Sequence, residues 1–298
     1  MARYRMIAID LDGTLLSPDG TVSPRNKAAV HRALRAGLLV CFATGRNWTE
    51  SQTVLDAVEH YDTAVFVGGA MVIDTKQNET LHRTGMDAEL AREVCGVIEQ
   101  LGQAAMALQD TAETGVDYLV TADVEINDAT RQWMKVTTAK VTRVHDLPRH
   151  PHEHTIRVGL VAAPEQVKQV HRTLKDRFGG RIVCQNLHVP AYGVEVLEVF
   201  DPSVNKWEGI MHVARKHGIR QDEIVAIGDD VNDIAMIERA GLGVAMGNAK
   251  PEVLAIAKHV IRRNDEDGLA EFLDELVAKH EVEPIVEPIV EPMKDAAR

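Results

Sequence analysis

The chain has 298 residues, enough for about two domains that each bury a core. Its 45 acidic side chains outnumber 33 basic ones. A formal charge of -12 argues against nucleic acid as a partner, yet a small anion can be held where a metal and a few basic groups are supplied. No apolar run reaches the roughly 20 residues of a membrane span.

In chain order, the short apolar stretch Met6–Ile9 stops at Asp10 and Asp12. It reads as a buried parallel strand, not a signal peptide. Ser23-Pro24 opens a helix that Gly37 stops. Residues 38–43 form a second buried strand ending in Thr44-Gly45-Arg46, and residues 63–67 a third ending in Gly68-Gly69. This alternation predicts a Rossmann-like α/β core with a parallel sheet.

After about residue 83 the pattern changes. Residues 87–101 read as an amphipathic helix, with weak strands near 117–121 and 135–144. A strand at 157–162, a helix at 164–178 and a strand at 181–185 complete an inserted α+β unit. The α/β texture returns at 194–199, followed by a helix from Lys206, a strand at 224–227 and a last helix at 269–279. The expected organisation is a first core part at 1–82, an insert at 83–190, a second core part at 191–279 and a tail at 280–298. In that tail the unit Glu-Pro-Ile-Val recurs, and repeated proline predicts an extended, disordered segment.

Chemistry-bearing residues collect where strands end. Asp10 and Asp12, spaced i, i+2 behind the first strand, converge at the edge where α/β sheets bind ligands, and Gly13 permits a tight turn there. Thr44, Gly45 and Arg46 offer a hydroxyl, a free amide and a charge for phosphate oxygens, although Thr-Gly is also a common turn. Gly228-Asp229-Asp230-Val231-Asn232-Asp233 clusters the hard oxygen donors that Mg2+ takes, with Asp229 and Asp233 the metal candidates. Asp230 also reads as a helix N-cap. Lys206 opposes the dipole of the helix it begins, so either it is a solvated surface group or an anion lies beside it. His150, His152 and His154 alternate as zinc ligands on an extended segment would, but Pro151 and its polar neighbours indicate a solvent-exposed loop. Cys41, Cys95 and Cys184 form no CxxC pair and sit in apolar segments. Buried reduced thiols and a cytoplasmic protein are expected.

Together these segments resemble the four motifs of the haloacid dehalogenase superfamily, in its Cof-like branch of small-molecule phosphatases. The resemblance runs from Met6 to about Leu276 and includes Gly243-Val244-Ala245-Met246-Gly247-Asn248-Ala249 and Asn264-Asp265-Glu266-Asp267-Gly268. It implies a Mg2+-dependent phosphatase of small phosphate monoesters, sugar phosphates foremost. Asp10 would be the nucleophile and Asp12 the acid and base. Thr44, Gly45, Arg46, Lys206 and Asn232 would hold phosphate, with Lys206 also orienting Asp10. Mg2+ would take Asp10, the main-chain carbonyl of Asp12 and Asp229, with Asp233 completing an inner or outer shell. The insert would be a cap that closes over the substrate. The chain departs from the family's pattern at Gly68-Gly69 and Lys206-Trp207, which leaves substrate identity open. A phosphomutase or a dedicated sugar-phosphate phosphatase of a related branch is an alternative; a catalytically dead binding protein fits less well, because the motif carboxylates are intact.

Overall fold

Short and mostly buried strands build the core of the protein, seen here in a computed structural model that describes residues 4–189 and 194–279. The tail at 280–298 lies outside the described residues. The first elements are β1 (Met6–Ile9), α1 (Pro24–Arg35), β2 (Leu39–Phe42), α2 (Trp48–Val58) and β3 (Thr63–Phe66), then a hairpin of β4 (Met71–Asp74) and β5 (Glu79–Arg83). Ser23 caps α1 by accepting the Asn26 amide at 3.0 Å.

The insert contributes α3 (Ala88–Gln100), β6 (Met106–Gln109), α4 (Thr111–Thr114), β7 (Tyr118–Thr121), α5 (Asp128–Val136), β8 (Val141–Val144), β9 (Thr155–Ala162), α6 (Pro164–Phe178), β10 (Val183–Val189) and β11 (Val194–Phe200). The chain then closes the core with α7 (Lys206–Lys216), β12 (Ile224–Gly228), α8 (Ile234–Arg239), β13 (Leu242–Ala245), α9 (Pro251–Ile256), β14 (His259–Val260) and α10 (Gly268–Ala278).

The core sheet has the order β14-β13-β12-β1-β2 and is parallel throughout. In it Ile7 lies between Val225 and Val40, so the ends of β1 and β12 and their Asp-rich loops come out side by side. The expected third parallel strand, β3, joins β2 only through the bridge Ala43–Val65; its main partner is the antiparallel β4.

The insert folds around a six-stranded sheet of order β10-β11-β9-β6-β7-β8, antiparallel except for β7 with β8. Helices α3 and α6 cover one face, burying Val158, Leu160, Leu197 and Val199. On the opposite face Met106, Leu108, Tyr118 and Phe200 join the same apolar cluster as Phe42, Phe66 and Met71 of the core.

Two expectations need correction. Residues 194–199 do not reopen the core: they lie in β11, paired antiparallel to β10 and β9. Residues 197–200 are buried on both faces, and Leu197, Val199 and Phe200 give the segment the look of a core strand although Glu198 lies among them. The weak strand at 135–144 shrinks to β8, because Asn127 caps a helix over 128–136 by accepting the Thr130 amide at 2.8 Å. Among the described residues no helix is long and apolar enough to cross a membrane.

Candidate active site

Where β1 ends, the Asp10 amide still bonds to Ile227 of β12, so the Asp10 side chain is fixed at the sheet edge. The chain then turns through Gly13, whose φ of 77° places it against Asp229; a Cβ there would lie 2.2 Å from Asp229 Oδ2. Only glycine fits this approach.

Lys206 resolves the question of its placement. Asn205 caps α7, and the lysine side chain runs inward and is 1% exposed. Its ammonium donates to Asp10 Oδ1 at 2.5 Å and to Asp233 Oδ1 at 2.6 Å. Gly69 lets this helix start come close, since a Cβ at its φ of 106° would lie 2.0 Å from the Asn205 carbonyl oxygen. Asp233 is fully buried, and its second oxygen accepts the Asp229 and Asp230 amides at 2.9 and 3.1 Å.

Oxygens of Asp10, Asp229 and Asp233 lie within 4.8 Å of one another. Burial raises the Asp10 carboxyl well above its ordinary value; Lys206 opposes the rise, while Asp233, Asp229 and Asp12 add to it. Asp229 is pushed up to about 7 by burial and then by Asp233 and Asp230. Burial alone would lower Lys206, but its two carboxylates hold it above the usual lysine range. The pocket is therefore short of positive charge. Asp229 is held only loosely, by Thr14 Oγ1 at 3.3 Å and Asn248 Nδ2 at 3.4 Å, which leaves it free to bind a cation. Hard oxygens, excess negative charge and the close wall at Gly13 together fit a divalent cation such as Mg2+.

The Asp12 carboxylate stands apart from this cluster. It is half-exposed and bound by Arg46, with Nε donating at 2.8 Å and Nη2 at 2.5 Å. Thr44 is fully buried, its hydroxyl accepting the Arg46 amide at 3.1 Å. Asn232 Nδ2 would lie 3.7 Å from a Cβ at Gly45, and its buried Oδ1 has no hydrogen-bond partner among the described residues. Asp230 takes the capping role, accepting the Val231 amide and pairing with Lys250 at 2.6 Å.

Asn248, which the sequence placed in a segment of the resemblance without a role, donates to the Gly13 carbonyl at 2.8 Å and so braces the loop after Asp10. Asn264 supports it, donating its amide to Asn248 Oδ1 at 3.0 Å and its side chain to the Leu16 carbonyl at 2.8 Å. The available signal was position, since Asn248 follows β13 where ligand-facing loops collect.

The three histidines share no site. His152 is buried, not exposed, and bridges Thr155 Oγ1 and the Leu147 carbonyl at 2.9 Å each; burial lowers it to about 4. His154 instead meets Arg83 at 3.0 Å. Trp207 is buried with Val65, Val72 and Ile210 in the core, away from the insert. Cys41, Cys95 and Cys184 are free thiols.

A profile described as haloacid dehalogenase-like hydrolase matches residues 7–273. A 5-amino-6-(5-phospho-D-ribitylamino)uracil phosphatase, YitU of Bacillus subtilis, is 29% identical over 91% of this chain and 96% of its own. A putative phosphatase of the same organism, YxeH, is 30% identical over 92% of this chain and 98% of its own. Among solved structures, a haloacid dehalogenase-like hydrolase from Bacteroides thetaiotaomicron superposes with a TM-score of 0.76 at 22% identity, covering 92% of this chain and all of that one.

Proposed function

This chain belongs to the haloacid dehalogenase-like hydrolases, and from that premise we propose that it is a Mg2+-dependent phosphatase of small phosphate monoesters, sugar phosphates among them, acting through an aspartyl-phosphate on Asp10. One observation carries the reading: a buried ammonium bridges Asp10 and Asp233, with Asp229 within reach of both.

Asp10, the main-chain carbonyl of Asp12 and Asp229 would hold Mg2+, with Asp233 behind them because its oxygens are already engaged. Bound there, Mg2+ offsets the negative charge that gathers when a phosphate meets these carboxylates. Lys206 favours the ionised form of Asp10 against its burial and aims it, and its remaining donor is left for phosphate. The Thr44 hydroxyl, the Gly45 amide, Arg46 and Asn232 hold the other phosphate oxygens.

An Asp10 oxygen forms a bond to phosphorus as the ester P–O bond breaks, and Asp12, which takes up a proton from solvent once Arg46 releases it, gives that proton to the leaving oxygen. Water then attacks phosphorus and passes a proton to Asp12; the P–O bond to Asp10 breaks and the carboxylate is restored. Arg46 has a gating part in this sequence. Both Asp12 oxygens are engaged with it, and an arriving phosphate gives Arg46 a second anion, which frees Asp12 to reach the leaving group.

The test is phosphate release from p-nitrophenyl phosphate with Mg2+ and with excess chelator. Activity that stops with chelator and returns with Mg2+ supports the reading. Full turnover in chelator overturns it.

A further inference from the structure

The chemistry on Asp10 and Asp12 uses no side chain of residues 243–249 or 264–268, two segments that share in the family resemblance. In the structure the two segments meet at one side chain, Asn248, which lies between β13 and α9. Close backbone approach makes the meeting possible. A Cβ at Gly247 would lie 2.9 Å from the Ile261 carbonyl oxygen, and one at Gly268 2.2 Å from that of Arg262.

Both ends of the Asn248 carboxamide are engaged. Its Oδ1 accepts the main-chain amide of Asn264 at 3.0 Å, and this fixes which way the group points. Nδ2 is thereby turned to the site, where it donates to the Gly13 carbonyl at 2.8 Å and reaches Asp229 Oδ2 at 3.4 Å. Nδ2 carries two N–H groups, one for each acceptor. The same turn holds Asp229 by its main chain, since the Lys250 amide donates to the Asp229 carbonyl at 2.9 Å. The Lys250 ammonium pairs with Asp230 at 2.6 Å. One turn therefore grips the loop after the nucleophile and the loop that carries the metal carboxylate.

Those two loops need a tie. Asp10 stands at the head of one and Asp229 on the other, with oxygens within 4.8 Å, and like charges at that distance drive their loops apart. A neutral amide suits the place. A lysine or arginine there would compete with a cation for Asp229, whereas the amide donates to both loops without adding charge.

We propose that Asn248, oriented by the main chain at Asn264, is a positioning residue that sets the spacing between the loop after Asp10 and the Asp229 carboxylate, and through it the affinity for the divalent cation. The inference rests on the phosphatase reading and deepens it. Asn248 touches neither the phosphate nor the leaving group; it acts through Gly13 and Asp229.

The experiment compares wild type with Asn248→Ala, Asn248→Ser and Asn264→Ala. Mg2+ affinity is read without substrate, from the rise of melting temperature as Mg2+ is added. Turnover of p-nitrophenyl phosphate is then followed across the same Mg2+ range. Asn248→Ala should weaken Mg2+ binding by about tenfold, the net worth of a hydrogen bond to a charged or main-chain acceptor. At saturating Mg2+ its KM for the ester should stay within about threefold of wild type and its kcat should largely return, because the lost interaction acts on the metal site and not on the transition state alone. Asn248→Ser, whose hydroxyl can serve one acceptor but not both, should fall between the two, and it carries the test if Asn248→Ala does not fold. Asn264→Ala keeps the main-chain N–H that orients Asn248 and removes the bond to the Leu16 carbonyl. It should lower the metal-free melting temperature yet leave Mg2+ affinity within about threefold of wild type. Wild-type Mg2+ affinity in the folded Asn248 variants would overturn the inference. So would an Asn264→Ala loss of Mg2+ affinity as large as that of Asn248→Ala, which would reduce Asn248 to a part of the general packing. Normal Mg2+ binding with no turnover of the ester in wild type would overturn the phosphatase reading and leave the positioning role standing. No Mg2+ stabilisation of wild type at all would overturn both.

Discussion

Two buried charge clusters, one in the core and one in the insert, are built on opposite principles. In the core, three carboxylates share one ammonium, and burial lifts Asp10 and Asp229 well above ordinary carboxylates. In the insert, one guanidinium meets one carboxylate over an aromatic floor. An unbalanced cluster stores a demand for positive charge, which a divalent cation meets. A balanced pair makes no such demand, because each charge is spent on the other. The first arrangement suits chemistry on a charged phosphate; the second, Arg157 with Glu198, joins two paired strands of the insert sheet.

The sharpest way to break this comparison is to remove the nucleophile. Asp10→Asn keeps the size and one oxygen but not the charge, and kcat on p-nitrophenyl phosphate should fall by about 10^4-fold or more. A fall of only tenfold would show that Asp10 is a ligand and water the attacker.

Next in size is the cation that holds the core cluster together. Lys206→Met leaves Asp10 and Asp233 buried without it and should cost about 3–5 kcal/mol in urea unfolding at pH 8 without metal. Added Mg2+ should return part of that loss. A variant as stable as wild type would mean that the carboxylates are neutral in the folded protein.

A third effect is the pH dependence of metal stabilisation. The Asp229 carboxyl rises from 3.8 to about 7 on folding, so the metal-free folded state holds a proton that the unfolded chain has released. That protonation stabilises the metal-free fold at low pH, and its benefit is lost as pH rises through about 7. Mg2+ needs the ionised form. The melting temperature gained from saturating Mg2+ should therefore be larger at pH 8 than at pH 6, by roughly 1 kcal/mol in unfolding free energy. An equal gain at both pH values would contradict the charge deficit.

The smallest effect is expected at the exposed pair beside the site. Arg46→Ala breaks the bond to Asp12, yet both side chains reach solvent, so stability should change by less than about 1 kcal/mol. The functional change should appear as a raised KM for phosphate esters, from lost phosphate contacts. An unchanged KM would remove Arg46 from the phosphate site.

The contrast between the regions also explains what could be read from sequence. Each core carboxylate follows a fully buried parallel strand, so a continuous apolar run ending in Asp10, or in Gly228 and Asp229, announces its position locally. Lys206 was ambiguous until its partners were seen, because a lysine at a helix start is ordinarily solvated. The insert is less legible. Arg157 and Glu198 are far apart in the chain and sit on the exposed-looking side of alternating strands, so only the pairing of β9 with β11 brings them together. The same pairing hid the true place of β11, whose apolar residues are divided between two different clusters. Asn248 and Asn264 act through main-chain atoms of a loop more than two hundred residues earlier, a contact that no local pattern encodes.

The most direct test of the covalent mechanism is a rapid-quench single turnover with an aryl phosphate, followed by mass spectrometry of the peptide that carries Asp10, in wild type and in Asp12→Asn. Wild-type enzyme should show one phosphoryl group on Asp10 that forms and decays within the turnover. In Asp12→Asn the same group should accumulate, because the leaving aryl oxide needs no proton but the attacking water still needs a base. Release of product through a full turnover, with the Asp10 peptide unmodified at every time point in both proteins, would contradict nucleophilic attack by Asp10.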